Sequence, residues 1–246
     1  MVIEIWERAT SAQPPLSWLL VLALGVGALV VTWTPLGYRM VRQVGTLIHE
    51  AGHALVAVLV GRRLSGIRLN SDTSGVTVSR GRRSGPGMVA TLLAGYPAPA
   101  LLGLGGAWLV SLGYAAGWLW LLVLLCAVML VLIRNLYGLW VVLATGVAVA
   151  AVSWLAPGPV LTGMAYLLVW SLLLIAPRAV VDLQRARRRV VSGRGSARGA
   201  TDADQLAALT RIPAVAWVAV FWLVCAGCLV AGGWLMLDAA TGSFPW

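Results

Sequence analysis

Along this chain the polar positions fall in short gaps between apolar runs, and most of those runs reach or approach the roughly twenty residues that cross a hydrocarbon layer. Breaks at proline, glycine and charge divide the sequence into seven candidate spans, at about 16–36, 44–61, 86–111, 118–133, 136–155, 160–176 and 212–236. The expected class is an all-α polytopic membrane protein forming a single membrane-embedded domain over residues 1–246. Trp18, Trp33, Trp118, Trp154, Trp217 and Trp234 lie near proposed span ends, where an amphipathic ring keeps its N–H at the headgroups.

Two interruptions depart from this pattern. Gly66-Ile67-Arg68-Leu69-Asn70 and Gly75-Val76-Thr77-Val78-Ser79 alternate in polarity around the turn-rich Ser71-Asp72-Thr73-Ser74. They predict a small β-hairpin at the cytosolic face, after the second span. Later, Ala94-Gly95-Tyr96-Pro97-Ala98-Pro99 sets two prolines inside an apolar run, so the helix breaks there and its freed carbonyls line a polar cavity.

Composition agrees with a bilayer as solvent: 60% of residues are hydrophobic and 11% charged. The net charge of +10 comes from arginine alone, as the chain has no lysine. With a cytosolic N-terminus in a cell membrane, the segments 62–83, Arg134 and 178–211 all face inward and only Arg39 and Arg42 fall outside. The stretch from about 185 to 201 reads as a flexible arginine-rich cytosolic linker that contacts anionic lipid. Nothing in it suggests nucleic-acid binding. Cys126, Cys225 and Cys228 all lie in apolar runs, where packing is the expected role.

The chain has two histidines, His49 and His53, with Glu50 directly after the first. Four residues apart on a helix, both imidazoles share a face and can reach one zinc ion, with Glu50 placed to act on a water. An ionisable triplet inside an apolar run costs several kcal/mol unless it is paired or used, so a metal site is expected. Asn135, at the inner end of the fourth run, is a candidate oxyanion donor or a hydrogen bond between helices.

The sequence Gly45-Thr46-Leu47-Ile48-His49-Glu50-Ala51-Gly52-His53-Ala54, followed by the hairpin, resembles the site-2 protease family of intramembrane zinc metallopeptidases. Ala94-Gly95-Tyr96, Arg134-Asn135 with Gly138, and Thr201-Asp202-Ala203 resemble a compact bacterial and plant branch of it. The resemblance implies cleavage of a peptide bond in or beside a membrane-spanning segment of a protein substrate, with Zn2+ held by both histidines and a distant aspartate. It also implies that a substrate adds to the hairpin edge, at Ile67, Leu69, Val76 and Val78. The Leu-Asp-Gly motif that carries the aspartate in better-known members is absent. Asp182, Asp202, Asp204, Asp72 and Cys126 remain as third ligands. Asp182 is favoured because it continues the sixth span, whereas Thr201-Asp202-Ala203-Asp204 reads first as a helix cap. The alternative to a protease is a catalytically silent zinc-binding membrane scaffold, in which Glu50 has no chemical task.

Overall fold

The computed structural model describes residues 2–191 and 201–242. Ten helices and one hairpin follow in order: α1 Val2–Thr10, α2 Trp18–Trp33, α3 Pro35–Leu59, β1 Arg63–Leu69, β2 Gly75–Arg80, α4 Pro86–Ala94, α5 Pro97–Ser111, α6 Ala115–Leu132, α7 Leu136–Leu155, α8 Gly158–Val191, α9 Asp202–Thr210 and α10 Ala214–Thr241. Four of these, α6, α7, α8 and α10, are long and apolar enough to span a membrane. The count rises to six if the bent pairs α2–α3 and α4–α5 each make one span. Seven spans are expected from the sequence, which counts the α2 and α3 runs separately.

Both junctions bend at proline, which fixes its own φ and donates no hydrogen bond. The α2–α3 angle is 81° and the α4–α5 angle is 61°. α2 packs along α8, with Trp170 donating to the Val21 carbonyl and Arg178 to that of Thr32. At right angles to α2, α3 then runs across one end of the bundle. Its start meets Arg178, its middle meets Ile175 and the α4–α5 break, and its last turn meets Gly87 at the start of α4.

α1 sits at the opposite end. Arg8 donates to the Trp154 carbonyl and stacks on that indole, while Gln13 bonds the backbone of Gly113 and Ala116. The N-terminal helix therefore shares an end with the α5–α6 and α7–α8 turns. The hairpin, Arg42, Arg134 and Arg178 lie at the other end, so the expected grouping of the N-terminus with the basic segments does not hold.

α8 is 34 residues long, about 51 Å, which exceeds the roughly 30 Å of a hydrocarbon core. Its basic extension is helical through Val191, where a flexible linker from 185 was expected; the rest of that stretch, 192–200, lies outside the described residues. The main core gathers Trp118, Tyr166, Leu173, Phe221 and Met236 around α5, α8 and α10.

A second cluster joins Leu47 and Ala54 of α3 to Ile67 and Leu69 of β1, Met129 of α6, Ile133 just after α6, and Val142 of α7. The antiparallel pair β1–β2 meets in register Ile67↔Thr77 and Leu69↔Gly75. The outer edge of β1 is closed. Arg134 N–H donates to the Ile67 carbonyl, and the Asn135 amide bonds Leu69 twice, accepting from its N–H at 3.2 Å and donating to its carbonyl at 2.7 Å. Asn135 thus acts as a third-strand stub. Replacing it with alanine leaves two polar groups of the fully buried Leu69 unpaired, at roughly 1–3 kcal/mol each. We expect Asn135→Ala to lower the unfolding temperature in detergent and to accelerate amide exchange across 63–80. Unchanged exchange would show that this pairing does not anchor the hairpin.

Candidate functional site

Three ligand-type atoms converge where α3 crosses the α4–α5 break. His49 Nε2 and His53 Nε2 are 3.1 Å apart, and each faces Asp202 Oδ2, at 3.3 and 3.2 Å. A tetrahedral zinc with ligands at 2.0–2.1 Å sets its ligand atoms about 3.3 Å from one another, so the spacing fits such an ion. The donor chemistry fits as well: two imidazole nitrogens and a carboxylate oxygen are the ligand atoms that a divalent cation such as zinc takes. His49, His53 and Asp202 could therefore hold a metal ion.

The orientation of each ligand has a local cause. His53 Nδ1 lies 2.7 Å from the Thr91 carbonyl. That carbonyl is in the last turn of α4, where the final four have no intrahelical donor, so it takes the ring N–H and leaves the Nε2 lone pair facing the cluster. Gly95 at the break is needed for closeness. A Cβ there would stand 2.5 Å from His53 Nε2 and 2.6 Å from His49 Cε1.

Asp202 is the first residue of α9 but not its cap. Thr201 takes that role, accepting from Asp204 N–H while the Asp204 carboxylate accepts from Thr201 N–H. This capping box leaves the Asp202 carboxylate to turn toward the histidines. Burial works against its ionisation, yet hydrogen bonding to His49 and His53 holds its pKa below the usual carboxylate range. Asp204 is also held low against partial burial, by Thr201 and Arg187, and Arg187 Nε lies 2.9 Å from it. This ion pair ties α9 to α8.

Asp182, the favoured third ligand, is not in the cluster. Its carboxylate pairs with Arg185 at 3.6 Å and lies near the Tyr38 hydroxyl. It lines the cavity beside Tyr38, outside the trio of ligand atoms. Asp72 is spent within the hairpin turn on Ser74, whose hydrogen bonds lower its pKa, and Cys126 packs in the second core cluster. Asn135 is committed to Leu69 and does not face the histidines as an oxyanion donor.

Glu50 is buried beside the cluster, and the Thr77 hydroxyl of β2 lies 2.6 Å from its Oε2 and 3.0 Å from its carbonyl. A Cβ on Gly75 would stand 2.8 Å from Glu50 Oε1, so the strand approaches the carboxylate closely because that residue has no side chain. Of the four hairpin residues expected to meet substrate, Ile67 and Leu69 are 0% exposed and belong to the closed edge. Val76 and Val78 are 47% and 45% exposed on the other strand. A cavity of 270 Å3 opens beside His49 and Glu50, walled by Tyr38, Arg42, Gly75 and Tyr96. Tyr96, Thr77 and Thr91 have no assigned role in the sequence; the broken-helix pattern and the Ala94-Gly95-Tyr96 resemblance mark the neighbourhood of the first, and the hairpin pattern that of the second.

Neither curated proteins nor solved structures provide a match to this chain. The model of one family, described as Peptidase M50B-like, matches residues 22–232, a stretch that includes the histidine pair, the hairpin, the helix break and Asp202. The resemblance read from His49-Glu50-Ala51-Gly52-His53 is thus borne out over most of the sequence, and the chain belongs to the Peptidase M50B-like family, which is the site-2 protease family.

Proposed function

We propose that this protein is an intramembrane zinc metallopeptidase that hydrolyses a peptide bond in or beside a membrane-spanning segment of a substrate protein. The observation that carries this reading is the convergence of His49, His53 and Asp202 with Glu50 beside them. His49 Nε2, His53 Nε2 and Asp202 Oδ2 would hold zinc, which supplies a Lewis acid for the scissile carbonyl and the attacking water.

Glu50 takes a proton from that water as its oxygen bonds to the carbonyl carbon, and returns it to the amide nitrogen as the C–N bond breaks. Thr77 orients the Glu50 carboxylate. A helical substrate must first expose its carbonyl, and the free edge of β2 supports an extended segment by strand addition. The turn bond from Asn70 N–H to Ser74 O makes 70 and 74 a hydrogen-bonded pair. By alternation, the backbone groups of Gly75 and Thr77 then point away from β1, next to Glu50.

The basic end of the bundle, which carries the site, faces the cytosol and its anionic headgroups in this reading. α1 then lies on the opposite face. A membrane-impermeant maleimide applied to intact cells should label Ser11→Cys and spare Ser84→Cys, since the three native cysteines are buried. The reverse pattern would invert the orientation.

Metal analysis of detergent-purified protein should give near one zinc per chain, retained in Asp182→Ala and lost in His49→Ala and Asp202→Ala. Gly95→Ala should lose it too, because the new methyl displaces both imidazoles. Glu50→Gln should keep zinc yet lose cleavage by a factor on the order of 10²–10⁴. Full cleavage by Glu50→Gln would leave a metal-holding scaffold as the reading. Thr77→Pro removes one outward N–H and should slow cleavage beyond Thr77→Val; equal rates would exclude strand addition at this edge.

A further inference from the structure

We propose that Tyr96 is a further catalytic residue whose hydroxyl donates a hydrogen bond to the carbonyl oxygen as that oxygen takes up negative charge. The inference rests on the hydrolytic reading of the same site. Its physical starting point is a mismatch between ring and hydroxyl. The ring is held on both sides, edge-on to His49 at 4.7 Å and stacked on Phe221 at 5.0 Å. Its backbone is fixed at the α4–α5 break, and its carbonyl accepts from the Cys225 thiol at 3.6 Å. Yet the hydroxyl of this well-held ring makes no hydrogen bond among the described residues and is not sealed off, whereas a buried tyrosine O–H usually has a partner. Phenylalanine would fill the same space. Only chemistry in the cavity uses the oxygen.

The other uncharged hydroxyls on the cavity wall are spent. Thr46 donates to the Thr73 carbonyl at 2.9 Å, Ser74 to Asp72 at 2.6 Å and Thr201 to Asp204 at 2.6 Å, while the buried Tyr38 lies against Arg178 and near Asp182. The Thr73 hydroxyl is shut off from solvent. Asn135 is consumed by Leu69. Tyr96 is what remains, on the same cavity wall as Arg42, His49 and Glu50.

In the step itself, the water oxygen bonds to the carbonyl carbon, the C=O π pair moves to oxygen and the water proton goes to Glu50. Tyr96 keeps its proton and shares it with that oxygen. When the C–N bond breaks, its electron pair leaves with nitrogen, which takes the proton from Glu50, and the carbonyl re-forms. A neutral donor suits this cycle because it strengthens as charge develops and needs no proton of its own returned.

The test compares full-length wild type and Tyr96→Phe in detergent, which differ by one oxygen atom. The probes are a quenched-fluorescent apolar peptide, a phosphinic peptide of the same sequence that mimics the tetrahedral state, and a simple hydroxamate. Tyr96→Phe should keep its zinc and unfolding temperature, hold KM, and lose kcat by about 10²–10³-fold. Phosphinic affinity should fall by a similar factor while hydroxamate affinity stays. Values of kcat and phosphinic affinity within twofold of wild type would overturn the proposal. Loss of zinc in Tyr96→Phe would also overturn it, making the residue a positioning group for His49. The inhibitor comparison needs no turnover, so a wild type that binds both inhibitors but cleaves nothing would count against hydrolysis while still reading out the hydroxyl.

Discussion

The break between α4 and α5 is the constraint on which the site depends. A continuous helix through residues 86–111 would satisfy its own backbone and offer nothing to the histidines. Ending α4 at Ala94 leaves the Thr91 carbonyl without a donor, and in a hydrocarbon solvent such a group must be satisfied from within the protein. His53 Nδ1 supplies the partner, which fixes the ring and the direction of Nε2. The same break brings Gly95 under both imidazoles and turns Tyr96 toward them, so one interruption serves backbone, ligand and cavity together.

Much of this was legible in the sequence, and the failures have physical reasons. The histidine pair with Glu50 identifies itself because ionisable groups at helical spacing have no packing purpose in an apolar run. The alternation at 66–70 and 75–79 gives the hairpin, though not which edge stays open. That depends on Arg134 and Asn135, which arrive from a turn some sixty residues later. Ile67 and Leu69 read as edge residues in sequence and become core residues once that turn docks.

Thr201-Asp202-Ala203-Asp204 does begin a helix, as its pattern predicts, but the cap is Thr201 and not Asp202. Thr201 and Asp204 share the capping box, so an aspartate between them is surplus to the helix end and free for other use. Asp182 was preferred for continuity with its span, but α8 carries it past the site, to Tyr38 and Arg185. The span counts part at α2–α3, two runs in the sequence that the structure joins as one bent pair. Length and hydropathy do not distinguish a helix that crosses a bilayer from one lying across the end of a bundle.

Because the ligands come from α3 and α9, the site closes only after the helices between them are in place. α9 is short and marginal on its own, and its position relies on the buried Leu206 and Ala203, on packing against α4 and α10, and on the Arg187–Asp204 pair. The Asp202 carboxylate therefore reports on the assembly of nearly the whole chain, while the two histidines are fixed locally by one helix and one carbonyl. An ion bound across that divide adds its binding free energy to the docking of α9, so metal affinity and the order of the cavity wall at Thr201 are linked quantities.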